Sequence, residues 1–363
     1  MARYIDPLDD LKGLLLTVEK PARYTGGEYG MLAKRDAAFQ TVIAFPDLYE
    51  IGMSNQALRI LYNRLNALSD ISCDRVFAPA PDFETLLREN GIPLYALDTG
   101  IALCDCDMLM FTLGYELGIT SVLAMLDAAG IPLLREARGD ESPVVIAGGP
   151  CVSNPMPYSR FIDAFWIGEA EDEFFTLVRQ LCAAKAGGAV RGELLGLLAR
   201  HPSVWVAGKK KAVRAVDAGF SMRKGPAPVF PVPSMRITQH HGVVEIMRGC
   251  PNGCRFCHAG IWYRPMRQKD GEAVVSEAAD CIFKAGFREI SLSSLSSGDY
   301  RNIENLIGAL DAKFGGMRVS FQLPSLHVST FSLPLLEKIS RVRKSGLTFA
   351  VETPLADWQA ALN

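Results

Sequence analysis

The chain has 363 residues, 49% hydrophobic and 21% charged, which allows two packed domains and excludes a disordered protein. Its formal charge of -2 excludes whole-surface attraction to nucleic acid, although a local patch could still bind it. The opening stretch MARYIDPLDDLKGLLLTVEK carries charges among its apolar residues, and no apolar run is long enough to span a bilayer, so the expectation is a cytoplasmic protein with no membrane contact.

Residues 1–38 read as a lead-in, helical at DPLDDLKGLLLTV and loop-like at KPARYTGGEYG. Strands and helices then alternate. FQTVIAFP (39–46) is a strand and SNQALRILYNRLNAL (54–68) a helix; CDRVFAPA is a strand and PDFETLLRENG a helix. DMLMFTL (107–113), PVVIAGG (143–149) and DAFWIGEAEDEF (163–174) supply further strands, with GITSVLAMLDAAG a helix between the first two. This pattern predicts an α/β fold, a doubly wound, Rossmann-like parallel sheet over residues 39–185. Ligands of such sheets sit beyond the carboxyl ends of the strands, here Asp47, Thr112, Gly148–Gly149 and Gly168–Glu169.

Residues 186–241 lose this regularity and read as a connector, with Lys209–Lys211 a solvated face. A second βα series fills 242–363. Its strands are VVEIMR (243–248), REISLSS (288–294), MRVSFQL (317–323) and LTFAVE (347–352). The helices between are GEAVVSEAADCIFKAG, NIENLIGALDAKFG and LPLLEKISRV.

Three of the nine cysteines, Cys250, Cys254 and Cys257, fall in RGCPNGCRFCHAGIWYRP as C-x-x-x-C-x-x-C. A cytoplasmic thiol triad points to a soft metal. Structural zinc asks for a fourth ligand, which His258 would supply only awkwardly; a redox pair at Cys254 and Cys257 leaves Cys250 idle. A 4Fe–4S cube normally takes four thiolates, so three leave one iron open to another ligand. The other six cysteines read as packed, apolar residues.

The spacing, the aromatic Phe256 before the third cysteine and the place directly after a first strand together resemble the radical S-adenosylmethionine superfamily. The resemblance implies that Cys250, Cys254 and Cys257 ligate a 4Fe–4S cluster. The open iron would chelate S-adenosylmethionine, whose reductive cleavage yields a 5′-deoxyadenosyl radical. It further implies Phe256 near the adenine, Ser293 and Ser294 near the methionine amino group, and Glu352 near the ribose. The family's Gly-Gly-acid segment is replaced here by SLSSLSSGDY. Arg264 and Arg267, in YRPMR, either meet an anion or are solvated, and His327 is a candidate proton carrier beyond the third strand. Gly249 and Gly253 fit a loop wrapping tightly around a cluster.

The first domain resembles the cobalamin-binding domain found in one subgroup of that superfamily, through VVIAGGP and DAFWIGEAEDEF. In that subgroup DLYEIG would place a cobalt-ligating histidine where this chain has Tyr49, and a phenol is a poor cobalt donor. Cobalamin held without that ligand, and a domain turned over to substrate binding, both stay open. The whole pattern implies methyl or methylthio transfer to RNA or protein, an external electron donor and a partner domain linked to radical S-adenosylmethionine proteins. Four strands after residue 242, against six in the family, imply a partial, truncated TIM-type barrel. The rival expectation is a non-catalytic iron–sulfur or zinc module, or an inactive fragment of a longer protein.

Overall fold

A computed structural model describes residues 2–225, 230–326 and 352–362. Two compact units emerge, Met1–Val216 with Phe230–His240, and Asp217–Val229 with His241–Asn363.

The first unit contains β1 (Phe39–Phe45), α1 (Tyr49–Gly52), α2 (Gln56–Asn66), β2 (Ile71–Phe77), α3 (Pro81–Glu89), β3 (Met108–Thr112) and α4 (Gly118–Ala128). It continues through β4 (Val144–Gly148), β5 (Ala164–Trp166), α5 (Asp172–Ala186), α6 (Arg191–Arg200) and β6 (Val204–Trp205). The sheet order is β2-β1-β3-β4-β5-β6, parallel except for the antiparallel pairing of β5 with β6. Near-complete burial of β1 to β5 explains their continuous apolar runs, since both faces of the sheet are covered. The order reverses between β1 and β3, which makes the crevice beyond their carboxyl ends the ligand position of the fold.

Local chemistry sets the element ends. The Asn55 side chain caps α2 by accepting from Leu58 N at 3.1 Å, and Pro81 occupies the first turn of α3. At the free margin of the sheet, Asn66 Nδ2 donates to Cys73 O at 2.7 Å and Asn66 Oδ1 accepts from Cys73 N at 2.9 Å. A side chain thus pairs both backbone groups of an edge-strand residue.

Two expectations for this unit need correction. The lead-in forms turns and two 3-10 turns, Leu14–Thr17 and Pro21–Arg23, in place of an α-helix. Asp6 and Asp10 carboxylates accept from Leu8 N and Asp6 N, and such local bonds compete with helical ones. Residues read as connector supply α6 and the edge strand β6. Lys209 is not a solvated lysine, because its Nζ donates to the carbonyls of Ala199, His201 and Val204 at 3.1, 2.8 and 2.6 Å and closes the end of α6.

The second unit contains β7 (Gly242–Glu245), β8 (Met247–Arg248), α7 (His258–Trp262), β9 (Arg267–Gln268), α8 (Gly271–Phe283), β10 (Glu289–Ser293), α9 (Ile303–Phe314), β11 (Ser320–Gln322) and α10 (Ala356–Leu362). Strands β11, β10 and β7 form an open parallel sheet, and no closed barrel is present among the described residues. Apolar faces of α8 and α9 cover this sheet. The stretch 243–248 is not one strand: it pairs with β10 up to Glu245, then Met247–Arg248 turns to an antiparallel ladder with β9. The predicted strand 347–352, apart from Glu352, the helix LPLLEKISRV and His327 lie outside the described residues.

Candidate functional site

The β8–β9 ladder pairs Arg248 with Arg267 and closes the base of a loop, residues 249–266, that carries all three cysteines of the motif. Gly249 opens this loop at φ +85°, and a Cβ there would lie 2.6 Å from Tyr263 O and 2.9 Å from Met266 Cα. The returning limb of the loop therefore demands glycine. Gly253 has open space around it, so tight wrapping does not account for that residue.

Cys250, Cys254 and Cys257 are each half-buried. Burial pushes the Cys254 thiol above its ordinary value; a backbone hydrogen bond opposes this, and Cys250, Cys257 and Glu352 add to it. Two thiols of the loop, Cys250 and Cys257, and one carboxylate from outside it, Glu352, thus lie within electrostatic reach of Cys254. Cys257 Sγ accepts from Gly260 N at 3.3 Å, and Cys250 Sγ accepts from Asn252 Nδ2 at 3.5 Å. Among the described residues no three His, Cys, Asp or Glu side chains converge tightly enough to hold a lone metal ion. An iron–sulfur cube places its thiolates on separate irons, and the donor set, three thiolates with backbone and amide N–H groups aimed at sulfur, suits it chemically.

The other expected residues are placed as follows. Phe256 is 55% exposed, so its ring is not part of the core. Ser293 ends β10 beside Glu245 of β7, and its carbonyl accepts from Ile246 N at 2.9 Å. Ser294 Oγ lies 3.0 Å from Ser297 Oγ, which donates to Pro324 O at 2.5 Å, tying the loop after β10 to that after β11. Glu352 has φ +65° and belongs to the segment leading to α10, whose Leu362 O accepts from Arg255 N at 2.9 Å. Arg264 Nε donates to Gly260 O at 3.1 Å, and Arg267 Nη1 to Asp217 O at 2.7 Å, so both arginines help build the loop.

Three residues were missed in the sequence. Asn252 Nδ2 also donates to Asp299 Oδ2 at 2.8 Å, and Ser296 Oγ donates to the same oxygen at 2.7 Å. Asp299 is a carboxylate of the SGDY turn after β10, and it reaches the cysteine loop through Asn252. The signal was an Asn between two cysteines and an Asp in the next strand-end loop, which one-dimensional spacing does not join.

In the first unit Asp47 and Tyr115 bridge the crevice between β1 and β3, Tyr115 Oη donating to Asp47 Oδ2 at 3.2 Å. Tyr49 is 1% exposed. Its hydroxyl donates to Glu28 Oε1 and accepts from Ser234 N at 3.1 Å, while Arg75 lies between Glu28 and Asp98. Burial first, and then the Glu28 carboxylate, hold the phenol well above its ordinary value. A neutral phenol enclosed by its own chain does not fit a cobalt ligand. Gly149 and Gly168 are likewise explained internally, since a Cβ would lie 2.4 Å from Leu113 O and 2.3 Å from Ala215 O respectively.

A family model for radical SAM proteins, N-terminal, matches residues 57–207, and the radical SAM superfamily model matches residues 244–358. An uncharacterised protein of Methanocaldococcus jannaschii is 23% identical over 320 residues, covering 85% of this chain and 60% of its own length. A tRNA-2-methylthio-N(6)-dimethylallyladenosine synthase of Bacteroides fragilis is 39% identical over 72 residues, 19% of this chain and 15% of that protein. The radical S-adenosylmethionine methyltransferase TsrM of Kitasatospora setae, solved with tryptophan and a cofactor analogue bound, superimposes with a TM-score of 0.56 at 12% identity. That match covers 88% of this chain and 60% of TsrM, so the likeness is one of fold. The chain thus spans about 60% of the length of these longer relatives.

Proposed function

The chain belongs to the radical S-adenosylmethionine superfamily, and from that premise we propose that it is a radical enzyme whose Cys250, Cys254 and Cys257 hold a 4Fe–4S cluster. The observation that carries this is the cysteine loop that the β8–β9 ladder closes just after β7 of a parallel sheet, with Cys250 and Cys257 both within electrostatic reach of Cys254. When bound, the cluster would supply the electron that splits S-adenosylmethionine into methionine and a 5′-deoxyadenosyl radical.

This chain's residues bind and orient. Exposed Phe256 offers an aromatic face to the adenine, and Glu352, near Cys254, is an acceptor for ribose hydroxyls. Ser293 and Ser294 line the strand end that would receive the methionine moiety, Ser294 being oriented by Ser297. Asn252 donates toward Cys250 sulfur and is itself steered by Asp299. The outcome we favour is methylthio or methyl transfer to RNA, with protein as the second substrate class, served by an external one-electron donor and a further domain or partner protein. No step is routed through a corrinoid, because buried Tyr49 does not fit a cobalt ligand.

The test is anaerobic reconstitution followed by dithionite and S-adenosylmethionine. Brown protein with about four irons per chain that releases 5′-deoxyadenosine is expected, and any Cys→Ala change in the triad should abolish both. Colourless protein carrying one zinc would refute the reading, and brown protein without cleavage would make the cluster a non-catalytic module.

A further inference from the structure

Segment 217–225, DAGFSMRKG, reads in the sequence as part of a connector, yet it belongs to the second unit. Phe220 in its middle is 1% exposed. Three cations surround that one ring: the Arg248 and Arg267 guanidinium carbons lie 4.6 and 5.8 Å from its centroid and the Lys269 ammonium 5.4 Å. Arg248 and Arg267 are the paired residues at the base of the cysteine loop, one on each limb.

Each cation is also held from another side. Arg248 makes two bonds to the Glu245 carboxylate at 3.0 and 2.7 Å, and Lys269 makes two to Glu277 at 2.7 and 2.9 Å. Arg267 donates to Asp217 O within the segment itself. Further attachments run from Asp270 N to Ser221 O at 3.0 Å and from Gly225 N to Glu277 Oε1 at 2.7 Å. Arg223 closes onto Asp217 with bonds of 2.6 and 3.0 Å, which bends the segment around Phe220.

Glu245 balances Arg248 and Glu277 balances Lys269, but neither carboxylate joins one limb of the loop to the other. The Phe220 ring is the contact that Arg248, Arg267 and Lys269 have in common, and its electron-rich π system attracts cations. We propose that Phe220 is a positioning residue: it clamps the two limbs of the cysteine loop together, so that the loop holds its shape before any cluster is present. This deepens the reading of the same loop as a cluster site and would stand as a mechanical statement without it.

The test is hydrogen–deuterium exchange of the metal-free 363-residue chain, comparing amides of 249–266 with those of β10 as an internal reference. Phe220→Leu keeps the apolar bulk and removes the aromatic face; it should speed exchange in the loop roughly tenfold and leave β10 unchanged. Phe220→Tyr should restore wild-type exchange to within about twofold. Arg267→Met, less drastic for packing, should loosen the loop in the same pattern and covers the case in which Phe220→Leu fails to fold. Unchanged loop exchange, or equal acceleration in loop and β10, would overturn the proposal. In reconstituted protein, Phe220→Leu should also release iron to a chelator faster, with rescue by Phe220→Tyr. A clamp seen by exchange in a protein that takes up no iron would sink the cluster reading alone.

Discussion

Tyr49→Phe separates the two meanings of the position where a cobalt ligand was sought. The change removes one oxygen and leaves the ring, whose edge contact with Phe77 at 5.2 Å between centroids is untouched. Lost are the bond donated to Glu28 and that accepted from Ser234 N. Glu28 keeps Arg75 at 2.8 Å, and Ser234 N keeps Glu28 Oε1 at 3.3 Å, so neither is stranded. A hydrogen bond to a charged group contributes about 1.5–3 kcal/mol, and with partial compensation about 2 kcal/mol is expected. For a unit of this size that lowers the melting midpoint by about 4–8 °C, read by differential scanning calorimetry of the full chain. If Tyr49 faced an open ligand cleft, its hydroxyl would be solvated and the substitution nearly neutral. A shift below about 1 °C, or a Tyr49→His protein that takes up hydroxocobalamin with the spectral change of imidazole ligation, would refute the reasoning.

Three further outcomes are expected. The Glu50 carboxyl is held at about 2, below its ordinary 4.5: burial works against this, and bonds from Arg23, its own backbone and Lys20 outweigh it. Its stabilisation is therefore present above the unfolded value and lost as pH falls from 4.5 towards 2, by about 2–3 kcal/mol, and urea titrations of Glu50→Gln should show a flatter acid limb. Lys269→Met leaves Glu277 as a buried charge and should cost about 3–5 kcal/mol in chemical denaturation, with much of it recovered in Lys269→Met/Glu277→Leu. Asn252→Ala removes an N–H donated to Cys250 sulfur, so the cluster's midpoint potential in a redox titration should become more negative with iron content unchanged.

The first sheet was legible because a strand buried on both faces must be apolar throughout, and β1, β3 and β4 start and stop within a residue or two of their hydrophobic runs. The cysteine triad stands out in the sequence because metal chemistry constrains spacing as well as residue type. Segment 217–225 and β6 were not: two residues make a strand in Val204–Trp205 only because β5 offers its edge, and nothing local in DAGFSMRKG reveals three cations gathered from elsewhere in the chain. Asp299 escaped for the same reason, being joined to the cysteine loop by a hydrogen bond across folded space. The phenol at Tyr49 was visible in the sequence as a poor cobalt donor, but its enclosure by Glu28 and Ser234 depends on segments far apart in sequence.

The carboxamide of Asn66 has a use unrelated to catalysis. A peptide group and a primary amide offer the same donor and acceptor, so this single side chain impersonates a missing neighbour and leaves an intruding polypeptide no vacant hydrogen-bond pair at Cys73. Swapping it for leucine would unmask that slot, and oligomers joined margin to margin would be the sign that the impostor had been guarding it.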